Sequence, residues 1–171
     1  ENTIIDAGRE ARVIIIDNCE NNIISNLTLK NGLADGDSNR GGGIAMYFSN
    51  PIISNVIISN NEAFHGGGLA LYTSNPILNH TIIKDNVSTA YGGLILYTSN
   101  PIFNNVIISE NSATQFGGGI GIIHSNPQLN NVTITGNNAA EGGGIHSTDY
   151  NPFIQPSSPE IKNSIIWGNN A

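Results

Sequence analysis

The chain has 171 residues, the length of one ordinary domain. Its 13 acidic and 6 basic residues give a net charge of -7, which argues against nucleic acid and anionic lipid as partners. No apolar run approaches the roughly 18 residues needed to cross a bilayer, so the sequence predicts no membrane-spanning helix. The single Cys19 excludes an intrachain disulfide and a cysteine-rich metal site.

The N-terminal part of the chain, residues 1–40, contains short β-branched runs that are weak copies of a pattern seen later. The runs are TIID at residues 3–6 and NLTL at residues 26–29. They have no helical spacing and are bounded by Gly and Asn, which is typical of short strands. We expect this part to form irregular first turns of whatever the later pattern builds.

Residues 41–141 contain a regular internal repeat. The tripeptide Ser-Asn-Pro recurs at steps of 25, 25 and 26 residues, with a Gly-Gly pair before each copy. The four copies begin at Ser49, Ser74, Ser99 and Ser125. A shared block follows the proline, as in NVIIS at residues 55–59. The step of about 25 residues is the dominant organising signal of the chain.

A repeat of this length predicts a coil. It is too short for a βαβ crossover with its helix, but it fits one turn with two or three short strands. Each strand would pair in parallel with its copy one turn on, about 4.8 Å away. The glycines indicate corners with positive φ or close backbone approach, and Asn-Pro indicates a bend. One column of amides is predicted to stack as a ladder inside a turn. Its members are Asn61, Asn86, Asn111 and Asn137.

Residues 142–171 predict a last coil with an insertion, because a fifth Gly-Gly copy is followed only distantly by Asn151-Pro152. The three parts together favour a single all-β domain over residues 1–171, a parallel β-helix of about seven coils. Interior columns are expected to stack coil upon coil. These are Ile58, Ile83, Ile108 and Ile134, and beside them Leu69 and Leu94.

The motifs resemble those of a known family. GGGI at residues 41–44, followed by SNPIISNVIISNNEA at residues 49–63, resembles the right-handed parallel β-helix repeats of secreted bacterial proteins. That class includes pectate-lyase-like folds and autotransporter-type surface proteins of the polymorphic outer-membrane class. The segment NSIIWGN at residues 163–169 is similar to a final coil of these repeats. The resemblance implies a right-handed coil and a secreted or cell-surface bacterial location, but it selects no substrate.

Strand alternation predicts which side chains face outward. Along residues 69–73, Leu69 and Leu71 would point inward and Ala70 and Tyr72 outward. Three outward columns follow, with Tyr47, Tyr72 and Tyr97 in the first, Ala45, Ala70 and Ile95 in the second, and Ile57, Ile82 and Ile107 in the third. Such apolar, solvent-facing columns are typical of a binding or association surface. The Tyr column has three interpretations: a platform for sugar rings, a face against another subunit, or cross-strand stabilisation beneath a loop.

Two stacked pairs are the candidates for catalysis. The repeat step places Asp85 over Glu110, and two carboxylates one rung apart suit glycoside hydrolysis or cation binding. The same step makes His124 and Asp149 neighbours, and His146 is close in sequence. The alternatives are a solvated turn for the acids and a structural contact for the His-Asp pair.

A loop at residues 35–39 is the candidate calcium site. Asp35, Asp37 and Asn39 alternate as oxygen ligands, but Arg40 and Met46 stand where an EF-hand has its Gly and bidentate Glu. A plain polar loop is the alternative. Apart from this calcium, no cofactor is expected.

Because the sequence contains few clusters of potential catalytic residues, it favours a non-enzymatic module: a scaffold, an adhesin or a self-assembling fibre subunit. Its partners would be further copies of itself, other surface proteins or a polysaccharide. The alternatives are a polysaccharide-active lyase or hydrolase and a carbohydrate-binding module. Ice binding fits less well, because the outward columns are Tyr, Ile and Ala rather than a regular Thr array.

Overall fold

The computed structural model describes residues 3–35 and 39–171. Every regular element in these ranges is a β-strand, so the described part contains no helix that could span a membrane. The strands are β1 (Thr3–Asp6), β2 (Ile14–Asp17), β3 (Glu20–Lys30), β4 (Leu33–Ala34), β5 (Ile44–Tyr47), β6 (Asn50–Ser59), β7 (Glu62–His65), β8 (Leu69–Tyr72), β9 (Ile77–Asn79), β10 (Ile82–Lys84), β11 (Val87–Ala90), β12 (Leu94–Tyr97), β13 (Ile102–Asn104), β14 (Ile107–Ser109), β15 (Ser112–Ala113), β16 (Ile120–Ile123), β17 (Gln128–Asn130), β18 (Thr133–Thr135), β19 (Ile145–Thr148), β20 (Glu160–Lys162) and β21 (Ile165–Trp167).

These strands form three parallel sheets that run the length of a coil. The front sheet has the order β19-β16-β12-β8-β5-β2, and the smallest sheet has the order β15-β11-β7-β4. The third sheet has two halves. The long strands β3 and β6 run through both halves, whereas each later coil contributes one short strand to each half. We call it the bent sheet. With six strands in the described front sheet, the coil makes about six turns, one fewer than the repeats predicted.

The register confirms the repeat of about 25 residues. Ile82 pairs in parallel with Ile57 on one side and with Ile107 on the other. Leu94 pairs in the same way with Leu69 and Ile120. Each residue therefore has its repeat equivalent above and below it, about 4.8 Å away.

The core lies inside the coil and consists of stacked columns. Ile58, Ile83, Ile108 and Ile134 are fully or almost fully buried in one column, and Leu69 and Leu94 are fully buried in another. Both interior columns are confirmed. Since each coil covers the core-facing side chains of its neighbours, the hydrophobic stabilisation is shared along the axis.

The predicted amide ladder is present. The side-chain amide of Asn86 donates to Asn111 Oδ1 at 3.0 Å, and that of Asn111 donates to Asn137 Oδ1 at 2.9 Å. Each amide also donates to a backbone carbonyl of the preceding coil, as Asn111 does to Ile83 at 3.0 Å. These buried amides are therefore satisfied by one another and by the backbone.

Glycines next to the ladder permit close approach. A Cβ on Gly68 would lie 2.7 Å from the carbonyl oxygen of Gly93 and 2.8 Å from the side-chain nitrogen of Asn86. No larger residue fits at this corner, as the repeated Gly-Gly pair predicted.

The last coil contains the extra length that the sequence indicated. Ile123 pairs with Thr148, an offset of 25 residues, whereas Gln128 pairs with Glu160, an offset of 32. The additional residues lie between β19 and β20. We call residues 149–158 the arm.

Candidate functional site

The outer face of the front sheet is the most distinctive surface of the coil. Ala45, Ala70 and Ile95 face outward as the alternation predicts, but they are almost fully buried, so the expectation that this column faces solvent is wrong. For Ala70 and Ile95, the reason is a second hydrophobic cluster outside the coil, in which Tyr91 packs with them over the sheet. This face is a built surface with its own packing.

One wall of this surface is the Tyr column. The rings of Tyr47 and Tyr72 stack with centroids 5.7 Å apart, and those of Tyr72 and Tyr97 with centroids 5.4 Å apart. Tyr97 remains exposed, whereas burial raises the pKa of Tyr72 to about 12. The column continues to Ile123, which is buried. Tyr97 therefore presents the accessible ring of the stack.

Arg40 crosses the sheet toward this wall. Its guanidinium carbon lies 4.3 Å from the centroid of the Tyr72 ring, a cation-π contact. Arg12 Nε donates a hydrogen bond to the backbone carbonyl oxygen of Arg40 at 2.9 Å and so fixes the Arg40 backbone. Arg40 also forms a parallel bridge with His65. Burial and the charge of Arg40 lower the pKa of His65, so this imidazole is neutral at pH 7.

Tyr91 forms the opposite wall, in a strained backbone conformation. Its φ of 65° is left-handed, and the other coils have glycine with left-handed φ at this corner: Gly41, Gly66, Gly117 and Gly142. The Tyr91 ring lies directly on Gly121, where a Cβ would be 2.0 Å from Tyr91 Cδ1. The Tyr91 hydroxyl contacts that of Tyr150 on the arm at 3.1 Å. Burial and the hydrogen bond with Tyr150 raise the pKa of Tyr91.

These walls enclose a groove of about 420 Å³, which we call the aromatic groove. It is lined by Arg40, His65, Tyr72, Tyr91, Ile95, Tyr97, Ile123 and Tyr150. None of these lining residues is acidic, and Arg40 is the charged one among them at pH 7. Chemically, the groove offers ring faces, four tyrosine hydroxyls, an apolar floor and one guanidinium. It suits binding through stacking and hydrogen bonds.

Comparison with known proteins agrees with this architecture. A family model described as the right-handed beta helix region matches residues 1–171. The chain belongs to the right-handed β-helix family. No curated protein and no solved structure matches it.

The carboxylates Asp85 and Glu110 lie at the surface of this β-helix, away from the aromatic groove. Both have left-handed φ, like Asn60 one coil earlier, and they form a corner of the coil. Asp85 forms an ion pair with Lys84 at 3.1 Å, and the carboxylate of Glu110 packs on Gly136. Asp85 and Glu110 therefore occupy equivalent positions on successive coils, as the repeat step predicts, and both lie in turns.

His124 and Asp149 are neighbours in this β-helix, as the repeat step predicts. His124 Nδ1 lies 3.3 Å from Asp149 Oδ1, and His124 Nε2 accepts from the backbone N–H of Asn151 at 3.3 Å. Asp149 accepts hydrogen bonds from the backbone N–H and the hydroxyl of Ser157, at 2.9 and 2.8 Å, and the backbone hydrogen bond is the main cause of its lowered pKa. Both nitrogens of this imidazole face the arm, so the pair anchors the arm. His146 lies elsewhere, with its ring 5.0 Å from that of Phe116.

The calcium loop is only partly described. Asp37 lies outside the described residues, Asp35 is exposed, and the backbone carbonyl of Asn39 accepts from the N–H groups of Phe64 and His65. In the described part of the chain, no group of three or more His, Cys, Asp or Glu side chains is arranged to hold a metal ion. Calcium binding here stays a prediction.

The third outward column lies on the bent sheet. Ile57, Ile82 and Ile107 stack in register, the first two half-buried and the third exposed. They face away from the core as predicted, and self-association through them stays a prediction.

Sequence reasoning missed Arg40, His65, Tyr91 and Tyr150 as site residues. A usable signal was present for Tyr91, which interrupts a column of glycines, and for Gly121, which interrupts the column of Ala45, Ala70 and Ile95. Both of these residues differ from their equivalents in the other coils, and both lie at the aromatic groove. A position-by-position comparison of the coils would therefore have indicated the groove.

Proposed function

We propose that this chain is a non-enzymatic binding module of a secreted or cell-surface protein, and that it holds a saccharide in the aromatic groove. The observation that carries the proposal is the groove itself. Stacked Tyr72 and Tyr97 form one wall, Tyr91 and Tyr150 the other, and Ile95 and Ile123 the floor. Sugar rings have apolar faces that stack on aromatic rings and hydroxyls that pair with polar side chains.

The size and shape of the groove support this use. Its volume of about 420 Å³ falls in the range of small-molecule sites, and it lies open along the coil. Coils stacked about 4.8 Å apart extend the wall in one direction, as the chain of a polysaccharide would require. Tyr47 continues the same stack beyond the groove.

The placement of acidic groups supports binding without catalysis. Glycoside hydrolysis requires two carboxylates flanking the scissile bond. The residues that line the groove include no carboxylate, and Asp85 and Glu110 lie at a corner of the coil that does not line it. Asp149 is held by Ser157 and faces the arm.

The test is calorimetric titration of the protein with a panel of neutral and acidic oligosaccharides, together with an assay for new reducing ends. We expect binding without release of reducing ends. Tyr97→Ala should weaken binding about tenfold or more, because it removes the accessible ring of the wall.

Tyr47→Ala is the matched control, because Tyr47 belongs to the same stack but does not line the groove. It should leave the dissociation constant unchanged within about twofold. Equal losses from both variants would refute the groove as the site, and release of reducing ends would favour the enzymatic alternative.

A further inference from the structure

The aromatic groove is a positive spot on an acidic protein. The chain has a net charge of -7, and four of its six basic residues are paired with acids. The pairs are Arg9–Glu62, Lys30–Asp6, Lys84–Asp85 and Lys162–Glu160. Arg12 donates to the backbone at Arg40 and Gly41. Among the described residues, no acidic side chain forms an ion pair with Arg40.

Two polar atoms of the groove residues lack partners. Arg40 Nε and His65 Nδ1 are buried and have no hydrogen-bond partner among the described residues. Arg40 Nε always carries a proton, and a buried donor left unpaired is costly. Oxygen atoms of a bound ligand are the natural acceptors for the N–H groups of this guanidinium.

The other residues that line the groove indicate a ligand larger than a small anion. Tyr72 and Tyr97 present a stacked aromatic wall, and Ile95 and Ile123 an apolar floor, which a free inorganic anion would leave unused. A ring that carries an anionic group would use both parts. Its ring face would pack on Tyr97, and its anionic oxygens would reach the guanidinium.

We infer that the aromatic groove selects a saccharide bearing an anionic oxygen group, a sulfate ester or a carboxylate, and that Arg40 recognises this charge. The inference rests on the proposed function and names the ligand class of the same groove. Sulfate and carboxylate share the chemistry that a guanidinium recognises, two or more anionic oxygens that accept parallel hydrogen bonds.

The experiment uses three probes of one length: a neutral gluco-oligosaccharide, its form oxidised at C6 to glucuronate, and its 6-O-sulfated form. We expect at least one charged probe to bind about tenfold or more tightly than the neutral probe. Arg40→Gln should remove this advantage, so that the variant binds the charged probes no more tightly than the neutral probe. The sulfated and oxidised probes distinguish the two sources of charge.

Lys84→Gln is the matched control, because it removes the same unit of charge on the bent sheet, outside the groove. It should retain the preference. Arg40→Lys keeps the charge but loses the planar fork, so it should retain part of the preference. If Arg40→Gln fails to fold, the salt dependence of binding to the wild-type protein replaces it. The affinity for the charged probe must then fall as the salt concentration rises, and the affinity for the neutral probe must not.

The possible failures are distinguishable. If the neutral probe binds as tightly as both charged probes, the inference is overturned while binding in the groove stands. If Lys84→Gln abolishes the preference as Arg40→Gln does, Arg40 is not its origin and the inference is also overturned. If none of the probes binds, the proposed function and this inference fail together.

Discussion

The interior of the coil and the aromatic groove are built on the same strands but follow opposite rules. Inside, each coil repeats its predecessor, as Ile58, Ile83 and Ile108 show. In the groove, the coils differ at equivalent positions: Tyr91 replaces glycine, and Gly121 replaces Ala or Ile. Repetition maintains the fold, because each rung must match the next. Departure from it creates a concave surface that a uniform solenoid lacks.

The largest effect is expected in the interior. Ile83→Ala should lower the free energy of unfolding by about 2–5 kcal/mol, because it leaves a cavity between two fully buried isoleucines. Urea denaturation followed by circular dichroism measures the change. The adjacent Ile82→Ala is the control, since Ile82 faces outward and is half-buried, and it should cost about 1 kcal/mol or less. Equal costs would contradict the division into an inner and an outer face.

A somewhat smaller effect is expected in the amide ladder. Asn111→Ala removes the acceptor for both the backbone N–H and the side-chain amide of Asn86, each at 3.0 Å. Since a buried donor without a partner costs about 1–3 kcal/mol, we expect a loss of about 2–4 kcal/mol. Asn104→Ala is the matched control, because the Asn104 amide also donates to an equivalent asparagine, Asn79 Oδ1 at 3.0 Å, but is only half-buried. Its loss should cost about 0.5–1 kcal/mol. A result in the opposite order would show that the ladder is not a structural core element.

The smallest effect on stability is expected in the groove. Gly121→Ala should cost about 1–3 kcal/mol, because the new Cβ would lie 2.0 Å from Tyr91 Cδ1 and must displace the ring. It should also weaken ligand binding, since Tyr91 lines the groove. A double-mutant cycle with Tyr91→Gly sharpens the test. In the Tyr91→Gly background the alanine should be nearly neutral, and additive losses would show that the two residues are not coupled.

Periodicity explains why the fold was predictable. A parallel coil pairs residue i with its copy about 25 positions on, so the step between Ser-Asn-Pro copies is also the register of the sheets. The interior columns and the Asn61–Asn137 ladder follow from the same step. The number of turns was overestimated by one, because the first weak copy is incomplete: β1 covers only the second half of β3.

The groove was not predictable in the same way. Alternation placed Ala70 and Ile95 on the outer face, but it cannot show that other side chains cover them there. This cover depends on Tyr91, whose ring packs on Gly121 of the next coil. Arg40 and Tyr150 enter from outside the regular strands, so no periodic pattern marks them. Stacking by itself only places Asp85 and Glu110 at a shared corner, so a catalytic role for them stays a prediction.

The arm shows where this architecture accommodates added length. The offset between paired strands rises from 25 residues before the arm to 32 after it, yet the pairing on both sides stays parallel and in register. The extra residues leave the coil and rejoin it at one corner, where Asp149 and Ser157 close the loop. A chain of this kind can therefore diversify by insertion at a corner while its pitch and core are conserved.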